Sequence, residues 1–167
     1  MSPRPLAAAI CFALAAAPGC GAPPPRPEVN RTARLEVRDT QGGPQDIEGA
    51  LARGETVALV FWQTWCKPCK REAPAIAAAH RSHGDAIRFI GVVSGEQDQA
   101  EIDATARDWG MAYPQVVDAD LTLATRFDVY GTPTVVVLRE DEVVYRGHRP
   151  PEDWTALRGP PLGGASR

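Results

Sequence analysis

Sulfur and imidazole are scarce here: the 167 residues include four cysteines, two methionines and three histidines. That scarcity limits metal chemistry. A structural zinc site needs four protein ligands, and beyond Cys66 and Cys69 the chain offers only Cys11, Cys20, His80, His83 and His148, with no second pair at finger spacing. A copper(I) module, for which two soft ligands can suffice, finds no methionine cluster to support it. Positive charge is not in excess either. Eighteen basic residues against 21 acidic ones leave a net charge of −3, and no basic patch or aromatic-interleaved stripe points to nucleic acid. No apolar run approaches the roughly 20 residues a spanning helix needs. The length suits one domain with a real core, not two.

What is present is concentrated between Val57 and Pro74, VALVFWQTWCKPCKREAP. Val57 to Trp62 is β-branched and aromatic, of strand length and almost without polar residues, as in a central strand buried on both faces. Gln63 and Thr64 end the apolar run. After Cys66 the spacing becomes helical, and Pro68 is tolerated only in a first turn, where its missing N–H has no helical partner anyway. Cys66 therefore falls at a helix N-terminus. Unpaired N–H groups and the positive end of the helix dipole favour a thiolate there, and Lys67 adds a cation. Cys69, one turn later, can resolve a mixed disulfide. Thiol–disulfide exchange asks for an exposed attacker with a second thiol within closing distance.

The string TWCKPCKREAP, with Trp65 before the first cysteine and Pro74 after the second, resembles the active-site signature of the thioredoxin superfamily. Together with GTPTVVVL at Gly131 to Leu138, it is similar to the TlpA/ResA branch of envelope thiol–disulfide oxidoreductases. The resemblance runs from about Leu35 to Leu157. It implies an α/β thioredoxin-like fold, a central mixed β-sheet flanked by helices, with a TlpA/ResA-type insertion in the long stretch between Cys69 and Pro133. It also implies catalytic roles for Cys66 as nucleophile and Cys69 as resolving thiol. Trp65, Lys67, Pro68, Thr132 and Pro133 would form the client-binding surface, with Thr132-Pro133 a cis bond that keeps metals off the thiolates. Glu72 shares a helix face with Cys69. The resemblance makes it a tuner of cysteine acidity, and the plainer reading is a solvated glutamate beside Lys70 and Arg71.

Two departures from the cytoplasmic pattern stand out. Val60 occupies the place of a buried aspartate that serves many thioredoxins as proton acceptor, leaving water, Glu72 or the client for that task. Lys67-Pro68 replaces Gly-Pro between the cysteines and leaves the reduction potential open, from roughly −270 mV to about −120 mV. The implied activity is reduction of disulfides in envelope proteins by a monomer, with no cofactor or metal beyond the Cys66/Cys69 dithiol. A membrane thiol donor would recharge it, and clients of cytochrome c maturation or copper-site assembly fit the branch. The rival readings are a disulfide oxidase or isomerase, a copper(I)-handling module, and a peroxide reductase whose peroxidatic site is not visible.

Residues 1–19 read as a secretory signal peptide, with Arg4 ahead of an apolar stretch from Leu6 to Ala17. Ala17-Pro18-Gly19-Cys20 is similar to a bacterial lipobox, although Ala17 and Pro18 depart from its usual form. Lipidation of Cys20 stands against ordinary cleavage nearby. With Cys11 removed and Cys20 capped, only Cys66 and Cys69 would remain as thiols in an oxidising compartment. The expected location is thus the periplasm-facing side of a bacterial envelope.

Residues 20–33 form a lipid-anchored, proline-rich spacer, residues 34–158 the thioredoxin-like domain, and residues 159–167 a flexible tail. Within the domain the pattern predicts an edge strand over Arg34 to Arg38, a turn at DTQGGPQ and a short helix over Asp46 to Arg53 weakened by Gly49. It predicts a second buried strand over Ile87 to Ser94, a helix over Gln97 to Trp109 and an extended piece over Tyr113 to Val117. Asp120 should cap a small helix through Phe127, Val143 to Tyr145 should pair with Val135 to Leu138, and Pro151 to Leu157 should form a last helix carrying Trp154 onto the sheet. His80 and His83, near a helix C-terminus, suit imidazolium; a ligand pair is the alternative.

Overall fold

The computed structural model describes residues 36–140 and 142–162. The signal peptide, Cys11, Cys20, the spacer and the last tail residues lie outside them. A hairpin of β1 (Glu36–Arg38) and β2 (Pro44–Asp46) leads into α1 (Ile47–Ala52) and β3 (Thr56–Trp62). Next come α2 (Lys67–His83), β4 (Ile87–Ser94), α3 (Gln99–Asp108), β5 (Gln115–Asp118), α4 (Thr122–Arg126), β6 (Thr134–Arg139) and β7 (Glu142–Gly147), with a final 3-10 turn at Thr155–Leu157.

Five strands form one mixed sheet in the order β5-β4-β3-β6-β7. β3, β4 and β5 are parallel neighbours, whereas β6 runs antiparallel to β3 with Thr134 opposite Phe61. The start of β6 is thereby held beside the end of β3, where the cysteines follow. All seven residues of β3 are buried. Each fully buried Val, Leu or Phe in it contributes roughly 1.5–3 kcal/mol. On one face Val60 and Trp62 pack with Cys66, Cys69, Ala73 and Ile76 of the α2 side, Ile102 of α3 and Trp154. On the other, Leu59 and Phe61 pack with Ile47 and Ala50 of α1 and Leu123 of α4.

Several expectations need correction. Glu36–Arg38 is not an edge of the main sheet: it pairs with Pro44–Asp46, where the pattern predicts the end of a turn and the first residue of a helix, and the hairpin touches the sheet through the Asp39–Val116 bridge. Gly49 does not weaken α1 at its cap. The Asp46 carboxylate accepts from Gly49 N at 2.9 Å, and a Cβ there would collide with that carboxylate. Asp120 is a minor cap of α4: Asp118 Oδ1 and Oδ2 accept from Leu123 N and Ala124 N, each at 2.9 Å. The Pro151 to Leu157 helix shrinks to the 3-10 turn, yet Trp154 is buried and lies 5.1 Å from the Phe89 ring. Leu162 N donates to Asp85 O at 2.8 Å.

Candidate active site

β3 delivers the chain to Gln63, and a short turn carries it to Cys66, the N-cap of α2. The Cys69 amide donates to Cys66 Sγ at 3.2 Å. This is the local consequence of Pro68 in the first helical turn: the chain enters the helix at Cys66, whose sulfur then meets an amide that has no partner inside the helix. Cys66 and Cys69 are joined by a disulfide, with Cα atoms 5.2 Å apart.

The expected exposed attacker is corrected. Cys66 and Cys69 are 5% and 4% exposed. They face the core cluster that holds Val60, Trp62 and Ala73, and Thr132 Oγ1 lies 3.5 Å from Cys66 Sγ. Exposure belongs to the rim instead: Trp65 is 69% exposed, and Lys67, Pro68 and Lys70 are exposed too. Glu72 is half-buried one turn on.

Across from the sulfurs, the Thr132-Pro133 peptide is cis. Thr132 Oγ1 donates to Gln63 Oε1 at 2.9 Å, and Gln63 Nε2 donates to Ser94 O at 3.1 Å. Gln97 Nε2 also donates to Ser94 O at 3.1 Å, while Thr64 N donates to Gln97 Oε1 at 2.9 Å. The ends of β3 and β4 and the start of β6 are thus laced together by side-chain amides. Beneath them, Trp62 Nε1 donates to Gln115 Oε1 at 2.9 Å, and Gln115 Nε2 donates to Tyr113 O at 2.7 Å. Gly91 leaves the space that Gln115 fills.

Beside Cys66 opens a cleft of ≈ 680 Å³ lined in part by Gln63, Ser94, Leu121, Val129, Tyr130 and Thr132. Tyr130 is 84% exposed at its mouth. Among the described residues, no group of three or more His, Cys, Asp or Glu converges as a metal site. His80 and His83 lie at the far end of α2. His80 packs edge-on against Phe89 and Tyr113, and burial, followed by the nearby Arg81 charge, pushes its pKa down rather than toward imidazolium.

Of the residues the sequence singles out, Thr132 of the cis Thr132-Pro133 bond lies 3.5 Å from the Cys66 sulfur, while Trp65, Lys67 and Pro68 are exposed beside Cys66 along the chain. Sequence reasoning took Gln63 only as the end of a strand and passed over Ser94, both of which line the cleft. The missed signal is positional. Each is the first polar residue at the carboxyl end of a parallel strand, the edge where open α/β sheets place their sites.

Residues 29–147 match the AhpC/TSA family. The chain belongs to that family. The Bacillus subtilis thioredoxin-like protein YneN is 30% identical over 99 residues, covering 58% of this chain and 58% of its own length. The thiol-disulfide oxidoreductase ResA of Bacillus subtilis is 30% identical over 111 residues, 66% of this chain and 60% of its own. The chain therefore spans about three-fifths of these relatives. Among solved structures, a secreted Mycobacterium tuberculosis disulfide oxidoreductase homologous to Escherichia coli DsbE superposes with TM-score 0.60 at 25% identity, covering 70% of this chain and 84% of that one. StoA from Bacillus subtilis gives TM-score 0.59 at 24% identity, covering 69% and 87%. The AhpC/TSA chain thus has a thioredoxin-like fold, with the mixed sheet and flanking helices expected of it.

Proposed function

We propose that this protein is a thiol–disulfide oxidoreductase acting as a reductase of disulfides in bacterial envelope proteins. The observation that carries the reading is the Cys66–Cys69 disulfide at the N-terminus of α2, with the Cys69 amide on Cys66 Sγ and Thr132 beside it.

In the reduced protein, the Cys66 thiolate attacks one sulfur of a client disulfide, forming a mixed disulfide and releasing the other client sulfur as a thiolate. Cys69, once deprotonated, attacks Cys66 Sγ. The bond to the client breaks, its second thiolate leaves, and the Cys66–Cys69 bond forms. Two electrons pass to the client, and a membrane dithiol donor returns them by the same exchange. The Cys69 N–H that caps Cys66 supports the thiolate. Val60 supplies no carboxylate at the floor, so the proton leaves through water, Glu72 or the client. Trp65, Lys67, Pro68, Thr132 and Pro133 form the client surface. The clients are apocytochrome c or copper-site assembly cysteines, and a lipidated Cys20 would hold the domain at the membrane.

The test is the reduction potential of the Cys66/Cys69 pair, measured by equilibration with dithiothreitol and glutathione buffers, together with insulin reduction by the wild type and by Cys66→Ser. A potential near or below thioredoxin's, about −270 mV, and loss of turnover in Cys66→Ser are expected. Potentials close to the strong oxidants, about −120 mV, would reverse the direction of the reaction. Turnover by Cys66→Ser at the wild-type rate would overturn the mechanism.

A further inference from the structure

We propose that His148 is a positioning residue that braces the Gly131–Pro133 segment from the side away from Cys66, keeping Thr132 against the sulfur for client docking. The inference rests on the thiol–disulfide reading above.

Packing fixes only one end of this segment: Pro133 is buried, whereas Thr132 is half-buried and Gly131 exposed. Tyr130 and Gly131 border two clefts, the one of ≈ 680 Å³ beside Cys66 and another of ≈ 430 Å³ whose opposite wall includes Arg146 and His148. A Cβ at Gly131 would meet nothing within 4 Å. Hydrogen bonds hold the Gly131–Thr132 end. On the inner side, Thr132 Oγ1 donates to Gln63 Oε1 at 2.9 Å. On the outer side, His148 Nδ1 lies 2.8 Å from Pro133 O and 3.2 Å from Thr134 Oγ1, and Thr134 Oγ1 lies 2.7 Å from Gly131 O.

These distances dictate the hydrogens. A carbonyl oxygen can only accept, so Nδ1 must carry a hydrogen, in the neutral and in the charged ring alike. With Nδ1–H directed at Pro133 O and Thr134 Oγ1, the Thr134 hydroxyl is free to donate to Gly131 O. One imidazole N–H thus secures the carbonyls on both sides of Thr132, one directly and one through Thr134. His148 follows β7 immediately, and the pairing of Val135 with Gly147 sets it in place. Without the brace, the segment can retreat into the cleft behind it and draw Thr132 away from Cys66.

The experiment compares the wild type, His148→Ala and His148→Asn in the full chain. Asparagine places an amide N–H where Nδ1–H stood. His148→Ala should raise KM for insulin roughly three- to ten-fold, the worth of one or two hydrogen bonds, while exchange with a small aromatic disulfide and the reduction potential stay at wild-type values. His148→Asn should restore most of the KM. The ring ¹⁵N spectrum of the wild type at neutral pH should show the Nδ1–H form. An unchanged KM in His148→Ala, equal losses in the two variants, or an Nε2–H tautomer in the wild type would each overturn the brace. If the wild type reduces no protein disulfide, the proposed activity falls and the ring spectrum alone decides the brace: Nδ1–H upholds it and Nε2–H refutes it.

Discussion

Replacing Asp118 by alanine should loosen α4 and the loop after it without touching either sulfur. Asp118 is 4% exposed, and its two oxygens accept from Leu123 N and Ala124 N, residues that are 2% and 6% exposed. Asp120 Oδ1 accepts from Thr122 N, at 3.2 Å, and the N-cap residue Leu121 sits at φ 60° and makes no side-chain cap bond, so neither serves these two amides. Leaving a buried N–H unpaired costs about 1–3 kcal/mol. Against that, the carboxylate is itself penalised: burial raises its pKa, only partly offset by the hydrogen bonds from Ala124 and Leu123. The net cost of Asp118→Ala is then about 2 kcal/mol, a fraction of a typical 5–15 kcal/mol total. Urea unfolding of the oxidised protein should show it as a midpoint lower by about 1 M. Asp118→Asn keeps one acceptor and sheds the charge, so it should cost less, about 1 kcal/mol.

The sign with pH is opposite to that of a salt-bridged acid. A carboxyl that holds its proton more tightly when folded makes stability fall as pH rises from the ordinary aspartate value of 3.8 through its raised one. That slope should vanish in both variants. A cost for Asp118→Ala below about 0.5 kcal/mol, or a larger cost for Asn than for Ala, would refute the capping argument.

Glu55, buried at the start of β3, bonds Arg88 at 2.7 Å and Arg53 at 3.0 Å. Burial raises its pKa, but hydrogen bonds from Arg88 and Arg53 and their charges outweigh it and leave the value below the ordinary 4.5. Its stabilisation should be complete above pH 4.5 and lost as pH falls through the lowered value; Glu55→Gln should remove this acid loss and cost about 1–2 kcal/mol at pH 7, discounted because both arginines are partly exposed. His80, with its pKa lowered by burial and then by Arg81, takes up a proton less readily when folded, so stability should fall as pH drops below the ordinary 6.5. His80→Phe should flatten that limb of the unfolding profile. Gly91→Ala places a Cβ against the Gln115 side chain and forces it off Trp62, which should cost about 1–3 kcal/mol in urea unfolding and alter tryptophan fluorescence.

Strong, local signals were legible. The run Val57 to Trp62 could only be a buried strand, and Pro68 after Cys66 could only open a helix. Weak local signals misled. Pro44 and Gln45 carry turn residues but pair with Val37 and Arg38 because that hairpin closes against the sheet edge, a long-range event. Asp118 lost to Asp120 as the expected cap because only the return of α4 onto the sheet brings the Leu123 and Ala124 amides to it. Cys66 reads as exposed from the need of its chemistry, whereas in the fold it packs into the cluster of Val60, Trp62 and Ala73 with Thr132, 66 positions away in sequence, 3.5 Å from its sulfur.

Short-range spacing carried the resemblance to a family and the pairing of a dithiol with a helix N-terminus, through an apolar strand, Cys-x-x-Cys, a first-turn proline, and Gly-Thr-Pro before another strand; the mixed sheet followed only as what that resemblance implies. Tertiary structure alone decided what surrounds the sulfurs. Antiparallel β6 places Thr132 beside Cys66, Gln63 accepts from its hydroxyl, His148 lies against the next carbonyl, Pro133 O, and Gln115 supports Trp62 below. These contacts join residues far apart in the chain, and their distances follow from sheet order and register, which local pattern does not encode.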